Sequence, residues 1–425
     1  MDYYIVIGLS LVIILSHFFN VIANRTNIPS VILLLGMGII IKTGMDFFGH
    51  GDKLDFIYRF EILPVIGTMG LILIVLEAAL DLKLTVDKWP VIWRSFIVAL
   101  ASLVTTATAV AFILKYFLFL DMFQAYLYAM PLSIMSSAIV IPSVTNLLDQ
   151  RREFMIYEST FSDILGIMAF YFFLGNSDGG TAGEVAWGVT SSIILTIVLS
   201  VLISGVLVWV FHKMTSHVKL FLVIAILMLL YAIGKLFHFS SLILILIFGL
   251  MLNNPELFFR GRLQGLIKTD NLKPLLRDFH IITLESAFVL RTFFFIIFGL
   301  TVTLSGLLSI KVLLVSVSVI IVTYLLRYIL LRIFKDDAID PLLYITPRGL
   351  ITVLLFFNIP AEFLSPDFES GIVLFSIIAT SLIMTSALIR RGREMSIEDP
   401  IPDEDLELKG YEDELGNATQ LDRPE

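Results

Sequence analysis

Apolar stretches recur along most of the chain, separated by short polar breaks, and nearly all are long enough to cross the hydrocarbon of a bilayer as α-helices. Delimited by those breaks they are residues 3–23, 28–43, 61–82, 90–116, 122–148, 153–174, 184–212, 219–237, 239–253, 279–304, 308–334, 338–358 and 371–390. The pattern predicts an all-α polytopic membrane protein of about 13 transmembrane helices. The stretch 239–253 is short enough to be re-entrant, or to join its predecessor through a tight turn at His238, Phe239 and Ser240.

An odd number of spans permits two six-helix units of opposite direction with the seventh span between them, an inverted repeat. Equivalent spans should then carry equivalent breaks. The fifth span is interrupted around Ser136-Ser137-Ala138-Ile139-Val140-Ile141-Pro142 and the twelfth, its mate, around Thr346-Pro347-Arg348-Gly349. Broken helices at matching places free backbone groups and helix ends to replace water around an ion, so they predict a binding site where spans 5 and 12 cross near the midplane.

The connections add less. Residues 254–278, with Arg260, Arg262, Lys268, Lys273 and Arg277 among leucines and phenylalanines, read as a linker that is partly helical at the lipid surface. Gly175-Asn176-Ser177-Asp178-Gly179-Gly180 has no following lysine and reads as a hairpin connection, not a phosphate cradle. No cofactor and no nucleic-acid partner is expected.

Composition and charge refine the picture. The 425 residues are 58% hydrophobic, more than a soluble core could bury, and they include no cysteine. The six histidines, His17, His50, His212, His217, His238 and His280, show no spacing that suggests zinc and read as loop or helix-end residues. The net charge of −8 is a property of the tail: residues 394–425 hold twelve acidic and two basic side chains. That tail is expected to be disordered. Lysines and arginines of the loops divide eighteen to six in favour of the side that carries the C-terminus, which predicts an outside N-terminus and a cytoplasmic C-terminus in the plasma membrane. Arg291, Arg327 and Arg348 fall inside predicted spans instead.

The chemistry concentrates in Glu158-Ser159-Thr160-Phe161-Ser162-Asp163, two carboxylates and three hydroxyls inside an otherwise apolar span. Ionisable groups in membrane helices mark ion or proton routes. At 100° per residue Ser159 and Asp163 share one face, and Glu158 and Ser162 a neighbouring one. A cation would meet a carboxylate beside a hydroxyl there. The plainer alternative is that Glu158 and Asp163 pair with intramembrane arginines and lock the bundle.

Glu158-Ser159-Thr160-Phe161-Ser162-Asp163 resembles the E-S-x-x-N-D signature of the monovalent cation:proton antiporter superfamily, the sodium/proton and potassium/proton exchangers. Supporting matches run over about 390 residues: Ile28-Pro29-Ser30-Val31 through Gly38 is similar to the second helix, Leu76-Glu77-Ala78-Ala79-Leu80-Asp81 to the end of the third, Met135-Ser136-Ser137 to the unwound fifth, Phe239-Ser240-Ser241 through Leu250 to the ninth, and Pro347-Arg348-Gly349 to the broken twelfth. The resemblance implies that Asp163 alternately holds the cation and the proton, that Ser159 is a hydroxyl ligand, that the backbone near Ser137 offers a carbonyl, and that Glu158 sits beside the ion. It also implies that Glu77 and Arg327 support the site, with Arg327 neutralising Glu77 or Glu158, and that Arg348 answers a helix end at the break. Ser162 stands where the family most often has asparagine or a second aspartate, which bears on stoichiometry and implies electroneutral exchange on a single carboxylate.

The same resemblance divides the chain into scaffold and dimerisation helices (1–82), an ion-transport core (90–174), a linker helix (184–212), further scaffold (219–304), further core (308–390) and the acidic tail (394–425). The expected partners are monovalent cations (Na⁺ first, K⁺ or Li⁺ next), protons, the bilayer and a second copy in a homodimer. One carboxylate would couple two ions because a cation binds only its ionised form. A symporter or organic-anion carrier of like architecture is the nearest rival. An intramembrane hydrolase on Ser159 or Asp163 lacks an activating histidine or lysine and a G-x-S-x-G motif, so no enzyme is expected. A non-transporting sensor signalling through the tail is the third reading.

Overall fold

The computed structural model describes residues 2–26, 29–49, 62–85, 87–144, 147–175, 198–208, 219–236, 241–258, 269–301, 309–334 and 339–398, and these are helical apart from short connections. In chain order the helices are α1 (Asp2–Thr26), α2 (Ser30–Phe47), α3 (Ile62–Asp81), α4 (Trp89–Leu118), α5 (Met122–Ser133), α6 (Ser137–Ser143), α7 (Asp149–Gly175), α8 (Val198–Val208), α9 (Lys219–Leu236), α10 (Ser241–Asn253), α11 (Pro255–Phe258), α12 (Thr269–Thr301), α13 (Ile310–Ile333), α14 (Leu350–Phe357) and α15 (Gly371–Glu398). By length and composition six of the described segments can cross a membrane: Ser30–Phe47, Trp89–Leu118, Met122–Ser143, Leu276–Thr301, Ile310–Ile333 and Gly371–Arg390.

Local chemistry sets the boundaries that matter for the site. Pro90 opens α4, where its missing N–H leaves no intrahelical bond unmade. Phe119 then takes a left-handed conformation at φ 54°, and the Asp121 carboxylate caps α5 by accepting the Gln124 N–H at 2.8 Å. A turn of a few residues therefore lays α5 back along α4.

Packing falls into two groups. α3, α10 and α12 pack on one another, with α2 and α1 against α12 and α9 against α3 and α10. α4, α5, α7 and α13 form the second, joined by α6, α14 and α15. The groups meet where α14 lies on α3 and α10 on α7. In the first group α2 and α12 touch backbone to backbone: a Cβ at Gly38 would lie 2.9 Å from the Gly299 Cα, and one at Gly299 would lie 2.6 Å from the Leu35 carbonyl oxygen. Only glycine permits that approach.

Several sequence expectations change here. His17 lies well inside α1 and His280 inside α12, not at helix ends, because each helix extends beyond the polar residue that the hydrophobic pattern takes for its boundary. α12 starts at Thr269, so the linker after span 9 is shorter than its basic residues suggested. α15 continues to Glu398, past the expected start of the tail. Of span 7, residues 198–208 are described; the rest of it, the loop at 176–180, the linker residues 259–268 and the tail at 399–425 lie outside the described residues.

Candidate functional site

The interruption of the fifth span lies at Ile134–Ser136, two residues before the stretch marked in the sequence. α5 ends at Ser133, Ile134 (ψ 132°) and Ser136 (ψ 112°) are extended, and α6 resumes at Ser137. Pro131 and Pro142 sit inside α5 and α6 and do not make the break. On the other side of the site, residues 345–349 run as extended chain into α14, and residues 340–344 form a turn, so the twelfth span is helical only after its break. Pro347 explains this, since it lacks an N–H and disfavours helical geometry in the residue before it.

The two extended segments cross and bond to each other. The Ser136 N–H donates to the Pro347 carbonyl at 2.9 Å, and Arg348 Nη1 donates to the Ile134 carbonyl at 3.2 Å. That carbonyl is the exposed end of α5, where partial negative charge gathers. Arg348 is held in turn by Thr346 Oγ1 at 3.1 Å and, through its N–H, by Thr380 Oγ1 at 3.0 Å. The segments can approach because Gly349 has no side chain: a Cβ there would lie 2.6 Å from Ser136 Cβ.

α7 supplies the floor. Ser162 Oγ accepts the Met135 N–H at 2.9 Å, and Asp163 Oδ2 accepts the Ser137 N–H at 3.0 Å. Each satisfies a backbone donor freed by the break, groups that cost several kcal/mol apiece if left bare in hydrocarbon. Gly166, one turn on, leaves room for the Ile134 side chain. The Ser137 N–H is free to reach Asp163 because Ser137 is the first residue of α6 and helix N-termini present N–H groups.

The three acids inside the bundle are in different states of pairing. Glu158, fully buried, accepts two bonds from Arg327 at 2.6 and 3.0 Å, and Arg327 also donates to the Leu342 carbonyl at 3.0 Å. Of the two partners the sequence offered Arg327, the structure gives it Glu158. Both Glu158 oxygens are thereby engaged by the guanidinium. Glu77 pairs with Arg291, at 3.0 and 3.4 Å, a partner the sequence did not indicate. Asp163, 3% exposed, takes part in no ion pair among the described residues, and its Oδ1 is buried with no hydrogen-bond partner. The Arg291 charge acts on it electrostatically. Ser159, fully buried one turn before Asp163, donates to the Ile156 carbonyl at 3.2 Å. A rotation about χ1 would release that hydroxyl.

The arrangement thus offers one unpaired buried carboxyl oxygen one helical turn from a hydroxyl, where the interrupted fifth span meets the non-helical chain that leads into α14. Arg291 was visible in the sequence as an intramembrane cation, but nothing in its neighbours pointed to Glu77. Thr380 acts through a lone hydroxyl and carried no signal.

Comparison with known proteins bears on this arrangement. The family model described as "Sodium/hydrogen exchanger, transmembrane" matches residues 8–391. No curated protein matches the chain by sequence. Among solved structures, the sodium proton antiporter MjNhaP1 from Methanocaldococcus jannaschii at pH 8 superposes with a TM-score of 0.65 at 21% identity, covering 92% of this chain and 96% of that one. An electron-microscopy structure of the same antiporter gives a TM-score of 0.61 at 21% identity, covering 93% and 97%. These likenesses establish a shared fold.

Proposed function

Starting from the premise that this chain belongs to the sodium/hydrogen exchanger family, we propose that it is a membrane transporter, not an enzyme, that exchanges a monovalent cation for a proton on Asp163. The observation that carries the reading is the unpartnered Oδ1 of a buried aspartate whose other oxygen is held by the Ser137 N–H, where the interrupted fifth span meets the non-helical chain that leads into α14. A carboxyl in that position binds a proton or a cation but not both. Ser159 completes the ligand set after leaving the Ile156 carbonyl, and Na⁺ is the cation favoured by family membership, with K⁺ and Li⁺ as competitors. Ser162 replaces the family's usual amide or second acid with a neutral hydroxyl that serves the Met135 N–H, so one charge cycles and exchange is electroneutral. Glu158 and Glu77, each matched to an arginine, add no charge to the cycle.

Alternating access follows from the two packing groups: α4–α7 with α13–α15 move as the ion-carrying body against α1–α3, α9, α10 and α12. A homodimer through the first group, the scaffold helices, an outside N-terminus and a plasma-membrane location complete the proposal. The test is dequenching of a pH dye in proteoliposomes pulsed with Na⁺, K⁺ or Li⁺. Asp163→Asn, whose side-chain oxygen can still accept the Ser137 N–H, should fold and lose all cation-driven proton flux, while imposed potentials of either sign should leave the wild-type rate unchanged. Normal flux in that variant refutes the assignment.

A further inference from the structure

α3 is buried along Leu71–Leu80 apart from Glu77, yet its last turn and the facing length of α12 hold four charged or titratable side chains. Their exposure falls inward, from 36% at His280 and 27% at Asp81 to 17% at Glu77 and Arg291. The same direction leads to Asp163. The Tyr157 hydroxyl donates to the Lys83 carbonyl at 2.7 Å and so sets α7 level with the end of α3. From Tyr157 six residues, about 9 Å at 1.5 Å per residue, reach Asp163, and four residues, about 6 Å, lead from Asp81 to Glu77. A file of charged side chains of falling exposure therefore leads from the C-terminal end of α3 toward the depth of the aspartate.

Charges along it do not cancel evenly. Glu77 is neutralised by Arg291 at 3.0 Å, whereas the ion-pair partner of Asp81 among the described residues is an imidazole, with His280 Nε2 at 2.8 Å from its Oδ1. Of the helices packed against α12, α3 contributes Asp81 and Glu77; the ionisable groups of α2, Lys42 and Asp46, lie in its last two turns, and His17 of α1 lines a separate pocket together with Glu285. We propose that Asp81 and His280 form the cation-attracting entrance to a route along this file of side chains toward Asp163, and that proton uptake by His280 switches the attraction off. The proposal rests on the exchanger reading for its physiological sense. With neutral imidazole the entrance carries the full Asp81 charge and concentrates cations; as imidazolium, His280 cancels it, so cation entry is throttled in acid.

The absence of native cysteine allows a direct test. A reporter thiol at Leu84→Cys, beside Tyr157 and outside the charged pair, is labelled in vesicles with cationic and anionic impermeant thiosulfonates of equal size. The cationic reagent should react faster at low salt by roughly tenfold, the low end of electrostatic focusing. Asp81→Asn should abolish that preference, and acid should abolish it unless His280 is replaced by Ala. In transport, Asp81→Asn should raise the apparent KM for the cation with the maximal rate retained, and Asp81→Glu should restore it. No charge preference, or one indifferent to Asp81, overturns the proposal, as does a lowered maximal rate at unchanged KM. Labelling does not require transport, so a failed exchanger reading would appear separately, as absent wild-type flux.

Discussion

Removing Arg327 while keeping Glu158 is the sharpest perturbation of the site's architecture. Glu158 is fully buried and accepts both of its bonds from that guanidinium, at 2.6 and 3.0 Å, and Arg327 Nε also carries the Leu342 carbonyl ahead of the crossing. Arg327→Met strands a carboxylate where no other cation is paired with it, and breaking a buried pair from one side costs about 3–5 kcal/mol. At ~1.4 kcal/mol per decade that is two to nearly four decades in the folding equilibrium. The double variant Glu158→Leu with Arg327→Met removes the charge together with its partner. Apolar replacement of a whole buried pair is often neutral or stabilising by about 1–4 kcal/mol, so most of the loss should return. Thermal unfolding of the detergent-solubilised protein, followed by size-exclusion fluorescence, would rank wild type and double variant together and the single variant well below. Because Asp163 is untouched, the double variant should still exchange cations for protons. A double variant as stable as wild type but inactive would refute the reasoning, since Glu158 would then act on the ion itself.

Two further substitutions test the crossing. Ser162→Ala leaves the Met135 N–H without its acceptor, a loss of about 1–3 kcal/mol for a stranded buried donor; the melting temperature should fall, and a variant that melts with wild type would show that the segment finds another acceptor. Gly349→Ala should cost about 1–3 kcal/mol by overpacking against Ser136 and depress transport, whereas Gly36→Ala, with nothing within 4 Å, should change neither; equal behaviour of the two would count against the close approach.

What could be read from the sequence depended on how local each feature is. The Glu158-to-Asp163 cluster and the Pro347-Arg348-Gly349 break are contiguous, and periodicity alone puts Ser159 and Asp163 on one face. Pairing is a property of which helices face each other, so Arg291 and Glu77, 214 residues apart, could not be matched in advance. For the same reason the interruption at Ile134–Ser136 was placed too late: the visible proline, Pro142, lies within α6, while the extended backbone is held by Pro347, Arg348, Ser162 and Asp163 from elsewhere in the chain. His280 looked like a helix-end residue because hydrophobic runs mark where a helix turns apolar, not how far it extends.

The contact of Gly38 with Gly299 also sets a height. Sliding α12 along α2 by a single residue would drive the side chain of Phe298 or Leu300 into space that holds only hydrogen, so the two helices share one permitted register. Arg291 stands eight residues, about 12 Å, along α12 from that seam. The shared register thus fixes the height of the Arg291 backbone relative to α2, and with it the level at which the Glu77 carboxylate meets its cation.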